Sequence, residues 1–293
     1  MNDSLLALPL FSPFVEFGFM RRALAGCLAL ALGATPMGVF LMLRRMSLAG
    51  DAMSHAILPG AAIGYLIAGL SLPAMTVGGM VVGLAVAVLA GSIARHSVIK
   101  EDASLATFYL LSLSSGVLII SIRGSSVDLL HVLFGSVLAL DDATLLLLAA
   151  FASLSIIALA IGLRLITLEC CDPSYLARIS RLAPLAHYGF LVLLVLNLVA
   201  GFHALGTLMS VGIMIFPAVT ARLWVSNLGP LLLLAIGIAF FASLAGLLFS
   251  YYVNVPAGPA IVLTLGTCYL LSLLIAPLGP LAARWRSGWH FER

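Results

Sequence analysis

Arg44-Arg45-Met46-Ser47-Leu48-Ala49-Gly50-Asp51-Ala52-Met53-Ser54-His55-Ala56-Ile57-Leu58-Pro59-Gly60 leads into an apolar segment and carries an acid and an imidazole at its entrance. On a helix, positions i and i+4 share one face, so Asp51 and His55 point the same way. An ionisable residue near the centre of a bilayer costs roughly 2.5–3.5 kcal/mol on insertion scales, which makes the pair a functional candidate. Carboxylate plus imidazole is a natural ligand pair for a divalent transition metal. The competing reading is an interfacial helix cap beside a solvated histidine.

The rest of the chain decides that this stretch belongs in a membrane. Of its 293 residues, 63% are hydrophobic and 9% charged, and the mean hydropathy is +1.21. A soluble domain carries about 25% charged residues. The expected fold is all-α, a polytopic transmembrane helical bundle forming one domain over 1–293. The net charge of +3 comes almost wholly from arginine, and no basic run resembles a nucleic-acid patch. Cys27, Cys170, Cys171 and Cys268 show no C-x-x-C spacing, so neither a disulfide framework nor structural zinc is expected. The N-terminus lacks a signal-peptide pattern.

Candidate spans are 23–43, 53–70, 73–94, 104–122, 143–163, 186–200, 205–221, 230–250 and 259–278. About eight crossings are expected, within a range of seven to nine. The segments 186–200 and 205–221 read as half-length helices or tilted spans around Gly201-Phe202-His203-Ala204. The stretch 124–140 reads as a broken or re-entrant outer element. The positive-inside rule places Arg44, Arg45, Arg95, Lys100, Arg164, Arg178, Arg181, Arg222, Arg284 and Arg286 in the cytoplasm. Arg21 and Arg22 are the misfit: a nine-span count puts them outside, whereas eight spans, with one weak segment not crossing, put both termini inside. Pro36 and Pro217 should kink their helices, and Gly78, Gly79 and Gly83 fit close helix packing.

Asp128 and His131 form a second polar pair at i,i+3. With Asp51 and His55 they would complete an N2O2 metal site, which suits Zn2+ first and Mn2+ next. His203 is a candidate for an outer access route. His96, His187 and His290 sit at cytoplasmic boundaries and need no special role. Asp141 and Asp142 start a span as helix-dipole partners. Asp172 before Pro173 reads as an N-cap and first helical residue, opening a short surface helix over 173–181. There is no phosphate loop of the G-x-x-x-x-G-K-[ST] type, so the chain does not hydrolyse ATP itself. H-E-x-x-H and G-x-S-x-G are missing too, and an enzyme is not expected.

Four ordered segments carry a resemblance. They are Arg44-Arg45-Met46-Ser47 through Asp51, His55 and Pro59-Gly60; Val127-Asp128-Leu129-Leu130 with Leu133-Phe134-Gly135; Leu205-Gly206-Thr207-Leu208-Met209 through Phe216-Pro217 to Arg222; and Val255-Pro256-Ala257-Gly258-Pro259. Together the chain resembles the membrane permeases of ABC-type zinc, manganese and iron uptake systems. The resemblance implies a multi-pass permease of the bacterial inner (plasma) membrane that works as a homodimer. Its partners would be two copies of a cytoplasmic ATP-binding subunit and an extracytoplasmic metal-binding protein. It implies no permanently bound cofactor, only transported Zn2+ or Mn2+, and puts Asp51 and His55 on the pathway. The coupling helix that docks on the ATPase would use Asp172, Pro173, Tyr175, Leu176, Ala177 and Arg178. Ile179-Ser180 replaces a small residue often found late in that helix, and His131 is not general in the family. The rivals are a permease for iron-siderophores or cobalamin and a proton-coupled secondary transporter in which Asp and His relay protons.

Overall fold

The computed structural model describes residues 12–278 apart from 70, 99, 124–137 and 139. Among the described residues there are helices and no strands. In chain order they are α1 (Ser12–Glu16), α2 (Gly18–Leu43), α3 (Ser47–Ala56), α4 (Leu58–Ala68), α5 (Leu72–His96) and α6 (Glu101–Arg123). They continue as α7 (Asp142–Cys171), α8 (Pro173–Ile179), α9 (Ala183–Leu205), α10 (Thr207–Arg222), α11 (Leu228–Val253) and α12 (Ala257–Ile275). Seven of them are long and apolar enough to cross a membrane. The 16-residue α10 and the broken pair α3–α4 account for the rest of the expected range.

The bundle is built around α2 and α9. In these two, 72% and 78% of the most apolar window is buried, against 22–44% in the other long helices. Lipid tails are as apolar as leucine, so helices associate through close packing and hydrogen bonds. Gly60 on α4 and Gly78 on α5 show this: a Cβ on either would strike the carbonyl of the other. Gly79 and Gly83 make room for Ile57, as expected for packing glycines.

Both kinking prolines lie where α2 crosses α10. Pro217 has no N–H to give the carbonyl four residues earlier, that of Ile213. Thr35 Oγ1, next to Pro36, donates to that same Ile213 carbonyl at 3.0 Å. One helix thus satisfies the backbone group that proline orphans in the other, which the membrane interior requires. Gly38 lies against the Met214 carbonyl one turn further along.

Among the boundaries that differ from the sequence reading, α7 runs to Cys171 rather than 163, and three others matter here. The segment expected as one span over 53–70 is two helices meeting at Ile57. Pro59 in the first turn of α4 removes one N–H and crowds the carbonyl of His55. The outer link is Gly206 alone rather than 201–204, so α9 runs through His203. Gly206 takes a φ of 84°, a turn that an L side chain rarely adopts. The surface helix stops at Ile179 rather than 181.

At one end of the bundle Arg22 Nη1 lies 3.3 Å from Asp142 Oδ1, so the first turns of α2 and α7 share a face. Asp141 caps α7 by accepting from Thr144 N at 3.1 Å. With 30 residues, α7 is about 45 Å long. That exceeds the ~30 Å hydrocarbon core, so its last turn, bearing Glu169, Cys170 and Cys171, reaches the arginine-rich face.

Candidate functional site

Asp51 and His55 lie on α3, immediately before the break at Ile57. His55 Nε2 stands 3.7 Å from Asp51 Oδ1. That is too long for a hydrogen bond, but two metal–ligand bonds of about 2.1 Å each span it. The Asp51 side chain is 61% exposed on the single chain and that of His55 27%. The opposite face of α3 is anchored by Met53 and Ala56, both fully buried. Gly50 meets the Met214 side chain of α10. The pair therefore projects from a rigidly seated helix onto an open surface.

Asp128 and His131 lie outside the described residues, as does most of the stretch expected to be broken or re-entrant. Among the described residues no three or more His, Cys, Asp or Glu are grouped so as to hold a metal. His203, in the last turn of α9, packs edge-on against Phe202 with centroids 5.1 Å apart. Its Nε2 is buried without a hydrogen-bond partner.

The short helix α8 is set as its sequence suggests. Asp172 accepts from Tyr175 N at 2.9 Å and from Ser174 Oγ at 2.7 Å. These bonds, that from Ser174 first, hold its carboxyl below the usual carboxylate range. Leu176 is the buried contact, packed with Ala183, Ala186 and Leu165. Tyr175, Ala177, Arg178 and Ile179 face outward, so the helix offers a mixed apolar and basic surface at the end of the bundle.

Just inside α8 lies a charge cluster that the sequence reading missed. Glu169 Oε1 is 3.0 Å from Arg95 Nη2, 3.1 Å from His187 Nδ1 and 3.6 Å from Arg44 Nη2. Arg44 Nη2 also approaches His187 Nδ1 at 2.9 Å and Glu101 Oε2 at 3.4 Å. The side chains of Arg44, Glu169 and His187 are all 5% exposed or less. Arg44 further lies over the Phe190 ring, 5.1 Å from its centroid. His187, expected to need no role, is held among these groups. A lone histidine three residues after Pro184 gave no sign of it; the hint was a glutamate near the end of the 30-residue, largely apolar α7.

Comparison with known proteins now adds to the geometry. The description of the ABC 3 transport family matches residues 16–276. The manganese import system permease protein ScaB of Streptococcus parasanguinis is 34% identical over 262 residues, 89% of this chain and 92% of that one. A probable iron transport system membrane protein of Haemophilus influenzae is 30% identical over 260 residues, 88% and 94% of the two chains. Among solved structures, PsaBC from Streptococcus pneumoniae in complex with Fab matches with a TM-score of 0.79 and 32% identity, covering 92% of this chain and 96% of that one. Spans, hinges and the acid–imidazole helix all fall within the matched residues, and this multi-pass membrane protein belongs to the ABC 3 transport family.

Proposed function

We propose that the chain is the permease subunit of an ABC importer that moves a free divalent transition metal into the cytoplasm, Mn2+ ahead of Zn2+. Ligand type alone put zinc first. The ScaB likeness moves manganese forward, and the Haemophilus likeness keeps Fe2+ as the second reading. The observation that carries the proposal is Asp51 Oδ1 facing His55 Nε2 across 3.7 Å on an exposed helix face. A carboxylate that is 61% exposed on one chain cannot face lipid without a cost of roughly 2.5–3.5 kcal/mol. A second copy of the chain covers it, so two such pairs line one pathway and offer N2O2 to the passing ion. Asp128 and His131 are proposed as further ligands. His203, with its free ring nitrogen towards the outer end of α9, lies on the access route.

The ion is substrate and must leave again, so few ligands and retained water suit the task. The fuel comes from a separate cytoplasmic ATP-binding subunit, two copies for the dimer. It docks on α8, where Tyr175, Ala177 and Arg178 are exposed and Asp172 with Pro173 fixes the helix start. An extracytoplasmic metal-binding protein delivers the ion. ATP-driven closure of the partners then shifts the spans between outward and inward access.

Uptake of 54Mn2+ into cells carrying the complete system tests this. Asp51→Ala and His55→Ala should each lower uptake at least tenfold at normal membrane abundance. Uptake near normal in both variants would remove the site.

A further inference from the structure

The break between α3 and α4 at Ile57 comes two residues after His55, and helices on two sides close around it. Pro59 offers no N–H to the His55 carbonyl, and the backbone ladder resumes with Ala61 N on Ile57 O at 3.2 Å. The last carbonyl of α3, that of Ala56, is taken by a side chain of another helix. Ser112, buried midway along α6, donates its Oγ–H to that oxygen at 2.9 Å. Gly116 follows four residues later, on the same face of α6. It lies against Pro59, where a Cβ would come within 3.1 Å of the proline Cα. From α5, Gly79 and Gly83 receive the Ile57 side chain, which is fully buried.

We propose that Ser112 is a positioning residue of the metal pathway: by holding the Ala56 carbonyl it fixes the last turn of α3, and with it the separation of His55 from Asp51. This rests on the reading of that pair as metal ligands. The tolerance is narrow. Two metal–ligand bonds of about 2.1 Å each reach no further than about 4.2 Å, and the two atoms already stand 3.7 Å apart. A drift of more than about 0.5 Å therefore ends two-point contact with one ion. Without the hydroxyl, the Ala56 carbonyl is unmatched in a region where backbone groups must be satisfied within the protein. The donor that a continuous helix would use is the N–H of Gly60, four residues on. Taking it draws α4 into line with α3 and turns the residues just before the break, His55 among them.

Uptake of 54Mn2+ per copy of the chain in the membrane, measured as a double-mutant cycle with His55→Ala, tests this. Ser112→Ala alone should lower uptake about tenfold, the scale of losing a group that orients a metal ligand. In the His55→Ala background the same change should lower it by less than about twofold, because no imidazole is left to position. Ser104→Ala is the control. Ser104 is also buried on α6 and donates across to Ala90 O of α5 at 3.1 Å, away from the break. Its loss should leave uptake within about twofold of the wild type. Ser112→Cys, close in size and only a weak donor, takes the place of the alanine variant if that one fails to reach the membrane. Unchanged uptake in the Ser112 variant, losses that multiply in the cycle, or an equal loss in Ser104→Ala overturns the positioning role and leaves Asp51 and His55 as ligands. Near-normal uptake in His55→Ala removes the pair and the positioning role together.

Discussion

Removing the carboxylate of Glu169 should be among the most damaging single changes in the chain. Glu169 is 1% exposed and lies within 4 Å of Arg95, His187 and Arg44. Breaking a buried pair by deleting one partner costs about 3–5 kcal/mol, because the other charge stays buried and uncompensated. Two features of the site reduce this. Arg44 keeps Glu101 at 3.4 Å, and Arg95, 27% exposed, can turn to water. Glu169→Ala is therefore expected at the lower end, about 3 kcal/mol. Glu169→Gln retains the acceptor and the shape and should cost roughly 1–2 kcal/mol. The assay is denaturant unfolding of the purified chain in mixed micelles, with Arg44→Met as a second background. There the Arg44 charge that Glu169 partly offsets is already gone, so Glu169→Ala should cost at least about 1 kcal/mol less than in the wild type. A cost under about 1 kcal/mol in the wild type, or equal costs in both backgrounds, would refute the assignment of the cluster as one coupled unit.

The crossing of α2 and α10 gives a second cycle. Thr35→Val leaves the Ile213 carbonyl without its donor and should cost about 1 kcal/mol, the scale of interhelical hydrogen bonds in membranes. In a Pro217→Ala background the restored N–H serves that carbonyl, so the same change should cost almost nothing by the same unfolding measurement. The cap of α8 gives a pH dependence. The folded pKa of Asp172 lies below its ordinary value, so its contribution is fully present above about pH 4 and is lost as pH falls through the lowered folded value. The protection factors of the amides of residues 174–179, taken against the intrinsic rate at each pH, should be steady down to about pH 4 and fall below it. Asp172→Ala should show the lowered protection at every pH.

What could be read from the sequence follows from how local each signal is. Apolar runs of about 20 residues mark spans wherever they lie, and most helices begin and end within about five residues of those runs, although α7 continues eight residues past its run, to Cys171. Asp172-Pro173 is a local signal too, since cap and first helical residue are neighbours. Pro59 carries the break of α3 from α4 in its missing N–H, but a run of apolar residues around it reads as continuous. The turn lies at Gly206, a few residues beyond the link expected at 201–204, because Gly201 serves packing: a Cβ there would meet Ser210 across a close helix contact. The cluster of Arg44, Glu101, Glu169 and His187 joins residues separated by up to 143 positions. No spacing rule links them, and each alone reads as a boundary residue. The pair Asp51–His55 was legible because i,i+4 is itself a contact.

Transport as proposed requires a metal ion to pass between those two side chains. A structure of the assembled transporter held with Mn2+, with anomalous scattering recorded at the manganese edge, tests this most directly. A peak is expected within bonding distance of Asp51 Oδ1 and His55 Nε2, shared with a second copy of the chain. Both side chains turned toward lipid, with no peak beside them while Mn2+ is bound elsewhere in the pathway, would contradict it.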